Sequence, residues 1–276
     1  MSYLISNIIC NAKAKALGLF LGTLLLLLFP QKGRGERPFE TEPVGIRREE
    51  FIRLDLGADY THINAREDLL AFPSLGINYS TGPVVELQAY YDFLYRFTRR
   101  GTTIYGSGDL TLWTKVRFVS EQRNLPSLGL RFGVKLPNAN DNNGLGTDQT
   151  DFYASVLSSK KWGRFENRLN LGLAILDDPF RLRRQHDLFT IAAASIYSVS
   201  SNWQILADFF SQQGADPKFR LTKISTGVRF LKGDWAWDAA LKKGLRSEDK
   251  GYQSELSLDW GIVLGVSRYF QLGRNN

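Results

Sequence analysis

Hydrophobic and polar residues alternate along most of this chain. The clearest case is 84–97, where Val85 and Leu87 share one parity while Glu86 and Gln88 occupy the other. Because successive side chains of a β-strand point to opposite faces, this pattern predicts a strand with one apolar and one ionic face. Its length exceeds the usual strand of about 5–6 residues and suits the roughly 9–11 residues with which a tilted strand crosses a bilayer.

The same alternation recurs along the chain and predicts twelve strands. The clear segments are 52–60, 84–97, 109–118, 128–136, 165–175, 203–209, 224–230, 235–242 and 256–264, and the weaker ones are 70–79, 150–159 and 188–198. We therefore predict an all-β fold, a transmembrane antiparallel β-barrel of about 12 strands with short periplasmic turns and longer outer loops.

The lengths of the connections alternate as such a barrel requires. The predicted outer connections are 62–69, 98–103, 138–149, 177–187, 212–218 and 244–253. The predicted periplasmic turns are 80–83, 160–163, 200–202 and 232–234, with 120–125 as the one longer exception. An even number of strands returns both ends of the barrel to the periplasm, which is the orientation we expect in the cell outer membrane.

A soluble sandwich or a lipocalin-like barrel is the alternative, because its strands also alternate. Such folds bury their apolar face, whereas long aromatic outer faces on a soluble protein leave large exposed apolar patches. Aromatic residues concentrate near both predicted rims, as in the girdles of membrane barrels. The carboxyl-terminal strand, with Tyr269 and Phe270, resembles the signal read by the barrel-assembly machinery. Outer-membrane lipids and that machinery are therefore the expected partners.

The amino terminus predicts a signal peptide. Lys13 and Lys15 precede an uncharged, leucine-rich run over 16–29. As a helix this run is about 21 Å long at ~1.5 Å per residue, short of the ~30 Å bilayer core. A basic region before a short apolar run is typical of secretory signals, although no Ala-x-Ala site follows and a retained anchor stays the alternative. The predicted organisation is a signal peptide over 1–35, a periplasmic lead-in over 36–50, the barrel over 51–270 and a tail over 271–276.

Composition limits the chemistry that the exported chain can perform. The 276 residues carry a formal net charge of +7, and loss of the four cations in 1–35 leaves +3. Since Lys and Arg alternate with Asp and Glu, we expect no nucleic-acid partner. Cys10, the only cysteine, also leaves with the signal peptide. We expect neither a cysteine-based metal site nor any other cofactor.

The two histidines, His62 and His186, are the basis of the enzyme alternative. Serine hydrolysis needs a nucleophile beside a histidine that a third group orients. Neither histidine has a serine next to it in sequence, so we predict that the chain is not an enzyme. An outer-membrane lipid-modifying hydrolase and a closed structural or assembly barrel remain alternatives.

The polar face of the strands is the candidate solute path. Its charged members are Arg53, Asp55, Asp59, Glu86, Asp92, Arg96, Asp109, Lys115, Arg117, Arg131, Lys135, Arg168, Lys223 and Arg229. Barrels of eight strands fill with side chains and those of sixteen to eighteen leave a channel, so twelve strands allow either passage or pairing. The cations on neighbouring strands around Lys115 and Arg131 favour anionic solutes, unless Asp109, Glu86 and Asp92 neutralise them.

One loop carries a resemblance to a known family. Lys135-Leu136-Pro137 ends a predicted strand, a polar stretch with Gly144-Leu145-Gly146-Thr147 follows, and Asp151 opens the next strand. Over roughly 125–175 this pattern resembles the MetA-pathway of phenol degradation family of outer-membrane proteins. The resemblance implies a barrel that passes small, often hydrophobic or aromatic, molecules. The predicted function is therefore an outer-membrane channel or transporter with a small-molecule solute as its partner.

The same loop does not fit two better-known binding motifs. An EF-hand needs an acidic first ligand and glycine sixth, but the frame that makes Gly144 sixth makes Ala139 first. Gly144-Leu145-Gly146 is also too short for a dinucleotide fingerprint and opens no predicted helix. A solvated loop, rich in residues that tolerate tight turns, is the favoured interpretation.

Overall fold

The computed structural model of the chain describes residues 39–47, 50–99, 101–139, 145–146, 148–177, 185–215, 220–247 and 258–272. The predicted signal peptide, the loop residues Gly144 and Thr147, and residues 273–276 of the predicted tail lie outside the described residues. Within the described part, no helix has the length and apolar character needed to cross a membrane.

Twelve antiparallel strands close into one barrel, which confirms the predicted fold class. The strands are β1 (Phe51–Asn64), β2 (Glu67–Ser80), β3 (Val85–Thr98), β4 (Thr103–Val119), β5 (Ser127–Leu136), β6 (Asp151–Trp162), β7 (Phe165–Asp177), β8 (Gln185–Ser198), β9 (Trp203–Gly214), β10 (Leu221–Lys232), β11 (Trp235–Ser247) and β12 (Trp260–Gln271). Each strand pairs with its neighbours in sequence, and β1 pairs with β12 from Phe51↔Gln271 to His62↔Trp260. Closure leaves no free strand edge, as a lipid-embedded sheet requires.

The apolar face of the strands points outward. On β1, Leu54 is 42% exposed while the adjacent Arg53 is 1% exposed. On β7, Leu169 and Leu171 are exposed, whereas Arg168 lies inside and is buried. This arrangement is the reverse of a soluble barrel, because the surface that would face water in a soluble protein is the hydrophobic one.

The two ends of the barrel differ in their connections. We call the end where β1 begins and β12 ends the terminal end, and the opposite end the loop end. Connections at the terminal end are 81–84, 120–126, 163–164, 199–202 and 233–234. Those at the loop end are 65–66, 99–102, 137–150, 178–184, 215–220 and 248–259. The predicted long loop at 62–69 is wrong, because β1 and β2 stay paired as far as Asn64↔Glu67 and need only two connecting residues.

Candidate functional site

The fourteen charged residues of the candidate solute path fall at inward-facing positions of their strands. Arg53, Glu86, Lys115 and Arg229 are among the most deeply buried of them, each at most 2% exposed. Ionised groups this far from bulk water need partners. The partners therefore decide whether the lumen is open or filled.

Many of these partners come from residues 39–47, which we call the inner segment. Thr41, Glu42, Val44 and Ile46 are buried, and their contacts are with inward-facing side chains of the barrel. The amino-acid sequence predicts a periplasmic lead-in over 36–50. The described part of that range instead occupies the lumen, because its polar groups match charges on the inner wall.

Glu42 is the main electrostatic contact of the inner segment. Its Oε1 accepts hydrogen bonds from Lys115 Nζ at 2.8 Å and from Gln88 Nε2 at 2.9 Å. Arg131 Nη2 lies 3.8 Å from Oε2. Burial alone raises the pKa of Glu42, but Lys115 and then Arg131 outweigh it and hold the pKa well below its ordinary value. Glu42 is therefore a carboxylate shared by cations of two strands.

Further contacts fix the inner segment on the other side of the lumen. The backbone N–H of Thr41 donates to Asp208 Oδ1 of β9 at 3.3 Å, and its hydroxyl donates to the same atom. Glu40 pairs with Lys223 of β10. Since Lys115 and Lys223 belong to strands far apart in the barrel order, the inner segment spans the lumen rather than following one wall.

Towards the terminal end, backbone contacts continue the attachment. The N–H of Val44 donates to Ser159 Oγ at 3.1 Å, and the carbonyl of Ile46 accepts from Arg117 Nη1 at 3.2 Å. The Arg47 guanidinium lies 3.9 Å from the centroid of the Tyr269 ring. The open space left here is a cavity of about 470 Å³ between the inner segment and the wall.

A second network lies on β1–β3. Arg53 Nε donates to Asp55 Oδ2 at 3.1 Å, and Asn78 Nδ2 donates to the same oxygen at 2.8 Å. Tyr90 OH donates to Asn78 Oδ1 at 2.9 Å. On β10 and β11, which are separated from β1 only by β12, Arg229 Nε pairs with Asp238 Oδ1 at 2.6 Å.

Of the two arrangements that the sequence left open, pairing is the one found. Lys115 also contacts Glu86 at 3.2 Å, and Lys135 lies 3.6 Å from Asp109, as the neutralised alternative expects. Asp59 pairs with Lys242, Arg96 with Glu67 and Arg168 with Glu166, whereas Asp92 accepts a hydrogen bond from the Ser74 hydroxyl. Lys115, Arg131 and Lys135 of β4 and β5 thus each have a carboxylate partner.

The family-like loop is held by the same kind of pairing. Lys135 Nζ lies 2.6 Å from Asp151 Oδ2, which joins the two ends of the loop. Asp109 Oδ1 accepts from the backbone N–H of Asn138 at 3.0 Å and of Ala139 at 2.9 Å. A Cβ on Gly146 would lie 2.5 Å from the Cβ of Ala139, so only glycine fits there. Pro137 follows β5 directly.

This attachment places Leu145 inside the loop end of the barrel. Leu145 is 3% exposed and packs against the inward-facing Ile63, Leu69 and Leu94. A second apolar cluster, on the inner faces of β7 and β8, contains Ala174, Leu176 and Leu188 with Tyr153 packed against it. The loop-end half of the lumen therefore carries apolar surface, which the interior of a water-filled porin does not need.

The two histidines lie at the loop end of the barrel. His62 faces outward at the loop end, with Nδ1 2.6 Å from Asp68 Oδ1 and its ring against Trp260. His186 is the second residue of β8, lies opposite the inward-facing Leu176 of β7, and also has a partner. The described ranges bring together no cluster of three or more acidic, histidine or cysteine side chains suited to a metal ion.

The sequence did not predict the uncharged members of this network or the contribution of the inner segment. Asn78, Gln88, Tyr90 and Ser159 carry no charge that would have distinguished them from ordinary inward residues, and Glu42 lies outside the alternating pattern. The one available signal was parity, since Gln88 and Tyr90 share the inward parity of Glu86.

Comparisons with known proteins support the fold. No family model matches the chain, and no curated protein matches its sequence. An outer membrane channel from Pseudomonas putida F1 is similar in structure, with a TM-score of 0.64 and 15% identity over 86% of this chain and 100% of that one. The NanC porin gives a TM-score of 0.55 and 8% identity over 78% of this chain and 98% of its own. At such identities the likeness concerns the barrel fold alone.

Proposed function

We propose that this protein is an outer-membrane channel or transporter for small hydrophobic or aromatic solutes. The observation that carries the proposal is the presence of inward apolar clusters at the loop end of the lumen. Charged residues of the lumen are paired with the inner segment or with one another, while the loop end has, beside its ion pairs, two inward apolar clusters. A hydrated solute gains little from such a surface, whereas an apolar solute loses unfavourable contact with water on entering it.

The proposed orientation places the loop end outside the cell and the terminal end in the periplasm. It follows from the predicted signal peptide over 1–35 and from the longer connections at the loop end. Membership of the MetA-pathway of phenol degradation family is part of the same proposal. Its support is the Lys135–Asp151 pair and the close packing at Gly146, which give three of the family-like residues a structural purpose.

The test compares apolar and hydrophilic solutes. Cells that produce the full chain should accumulate radiolabelled toluene faster than cells with an empty vector, and Leu94→Asn with Leu188→Asn should remove most of the gain. Arg99→Gln, on an exposed loop-end connection, is the control. Planar-bilayer conductance and liposome swelling should show only weak passage of ions and sugars. Strong swelling with sugars and no gain in toluene uptake would contradict the proposal in favour of a general porin.

A closed structural or assembly barrel is the second candidate. The observation that favours it is the inner segment, whose contacts with opposite sides of the lumen restrict passage. This candidate expects neither conductance nor toluene uptake, combined with a normal heat-dependent shift of the folded barrel on a gel. Those three results together separate it from the transport function.

A further inference from the structure

The connection 120–126 at the terminal end folds back against the outward face of β6. Lys160, an outward-facing residue of β6, donates to the backbone carbonyls of Gln122, of Arg123 at 2.9 Å and of Leu125 at 3.2 Å. Its Nζ also lies 3.4 Å from Glu121 Oε1. These contacts use the donors of the ammonium group, so Lys160 fixes the connection in place.

A cavity of about 590 Å³ lies between this connection and the outward faces of β6 and β7. This volume is in the range of small-molecule sites, about 300–1,000 Å³. The lining residues used below are Arg123, Asn124, Ser158, Trp162, Asn167 and Leu169. The cavity therefore opens on the surface that faces lipid, not on the lumen.

The cross-strand pairs beside the cavity change from aromatic to polar to apolar with distance from the rim. In order they are Trp162↔Phe165, Lys160↔Asn167, Ser158↔Leu169 and Val156↔Leu171. Trp162 is 62% exposed, and Val156 and Leu171 are also exposed. Aromatic rings mark the headgroup level of a membrane and apolar residues mark the hydrocarbon level. The polar pair therefore lies where headgroup and acyl chains meet.

Two polar side chains, Ser158 and Asn167, line the cavity at this level. Ser158 and Asn167 make no side-chain hydrogen bond within the part of the chain that the structure describes. Unsatisfied amide and hydroxyl groups are unfavourable against hydrocarbon. A bound molecule with hydrogen-bond acceptors would satisfy both.

Arg123 supplies positive charge at the mouth of the cavity. It is exposed, and no carboxylate among the described residues pairs with its side chain. The nearest acidic residue along the chain, Glu121, is already paired with Lys160. The guanidinium is thus available for a phosphate, which it can bind through two parallel hydrogen bonds.

We propose that this cavity binds the headgroup of a phospholipid, with an anionic headgroup preferred. The phosphate pairs with Arg123, the glycerol ester region receives hydrogen bonds from Asn167 and Ser158, and one acyl chain follows Leu169 and Val156 into the membrane. In the proposed orientation the site faces the periplasmic leaflet, which consists of phospholipid. The proposal does not depend on the solute that the lumen passes.

Native mass spectrometry of the folded full chain in detergent, titrated with dioleoylphosphatidylglycerol, tests the site. Arg123→Gln should weaken the first lipid-binding step about fivefold, as expected for the loss of one cation near a charged lipid. It should also reduce the preference for dioleoylphosphatidylglycerol over dioleoylphosphatidylcholine. Asn167→Leu should weaken binding of both lipids, because both have the same glycerol ester region.

Arg99→Gln, the same substitution at the loop end, is the matched control and should leave lipid binding unchanged. Heat-dependent gel migration establishes that each variant is folded. A tenfold excess of inorganic phosphate over the lipid should not displace it, since free phosphate lacks the acyl contacts. Equal lipid binding by the wild type and Arg123→Gln, an equal loss in Arg99→Gln, or displacement by inorganic phosphate would each overturn the proposal.

Discussion

Charge pairing at single residues determines how tightly the inner segment is bound in the lumen. Glu42 contacts Lys115, Gln88 and Arg131, so Glu42→Gln leaves a buried ammonium with less compensation. Loss of a hydrogen-bonded partner of a charged group costs roughly 1–3 kcal/mol. We expect the variant to bind its inner segment less tightly and to conduct ions better in planar bilayers. Glu50→Gln, at an exposed carboxylate, is the control, and conductance equal in the two variants would contradict the assignment.

The depressed pKa of Glu42 gives this contact a defined response to acid. A carboxylate whose pKa is lower in the folded state contributes stability above its unfolded pKa and loses it only as the pH falls through the folded value. Because Lys115 and Arg131 outweigh burial, that value lies well below the ordinary range. Protonation of Glu42 should therefore not break its contacts with Lys115 and Arg131 between about pH 7 and about pH 5, above the ordinary carboxyl pKa. We expect the conductance to stay unchanged over this interval. A rise that Glu42→Gln abolishes would show that the carboxyl titrates in that interval.

At Gly133 the absence of a side chain lets the indole of Trp113 pack closely against the barrel wall. A Cβ there would lie 2.4 Å from the carbonyl oxygen of Leu112 and 2.6 Å from the indole of Trp113. That indole stacks on Arg131, with the guanidinium 3.9 Å from the ring centroid. Gly133→Ala should lower the free energy of unfolding by about 1–3 kcal/mol, the usual cost of overpacking, measured by urea unfolding in liposomes.

The comparison for Gly133 is Gly45, in the inner segment. A Cβ on Gly45 meets nothing within 4 Å, and its φ is not in the left-handed region. Gly45→Ala should therefore unfold at the same urea concentration as the wild type. Equal destabilisation by both alanines would mean that backbone effects, rather than the contacts of Gly133, account for the loss.

At the scale of elements, the strands were predictable and one connection was not. Alternation placed β3 at 84–97 against the observed Val85–Thr98, because its outward residues are apolar and its inward ones polar. The pattern fails at the loop end of β1 and β2, where Ile63 and Leu69 face inward into an apolar cluster. Where the inner face is also apolar, hydrophobic and polar residues no longer alternate. The range 62–69 was therefore predicted as a loop.

The position of the described residues 137–139 and 145–146 of the loop 137–150 depends on one cation. Lys135 bridges Asp109 and Asp151 at its two ends, so Lys135→Met leaves two carboxylates facing each other without a counterion. We expect the loop to detach and Leu145 to leave its apolar cluster. Hydrogen exchange in 137–150 should become faster, while β5 itself stays protected. Lys161→Met, at a half-exposed lysine, should leave exchange in the loop unchanged, and protection of the loop in Lys135→Met would contradict this mechanism.

For the whole molecule, the strands of the barrel wall were easier to predict from the sequence than the side-chain contacts inside the lumen. Strand parity identifies which side of the wall Arg53, Lys115 and Arg229 face, because parity is a local property. The partners of those residues are set by barrel closure and by a segment without periodicity. Lys223 meets Glu40, 183 positions away, and no local pattern signals a contact of that separation. Charged inward residues therefore identified a lumen but not whether it was open.

The strongest consequence at this scale is that the inner segment, not the barrel wall, limits conductance. Twelve strands lie between the filled eight-stranded barrels and the open barrels of sixteen or more. Removal of residues 39–47 takes Glu40, Thr41 and Glu42 from the lumen while every strand of the wall remains. We expect the deletion to fold, to shift on a gel with heat as the wild type does, and to conduct ions several-fold better in planar bilayers.

The deletion also separates the proposed functions. Newly exposed Lys115, Arg131 and Lys223 then have fewer acidic partners, so current through the deletion variant should favour anions. A transporter for apolar solutes should keep its toluene uptake or increase it, because the apolar clusters at the loop end do not involve the inner segment. If conductance and ion selectivity stay at wild-type values, the wall itself closes the lumen. That result would favour the closed structural or assembly barrel over a channel.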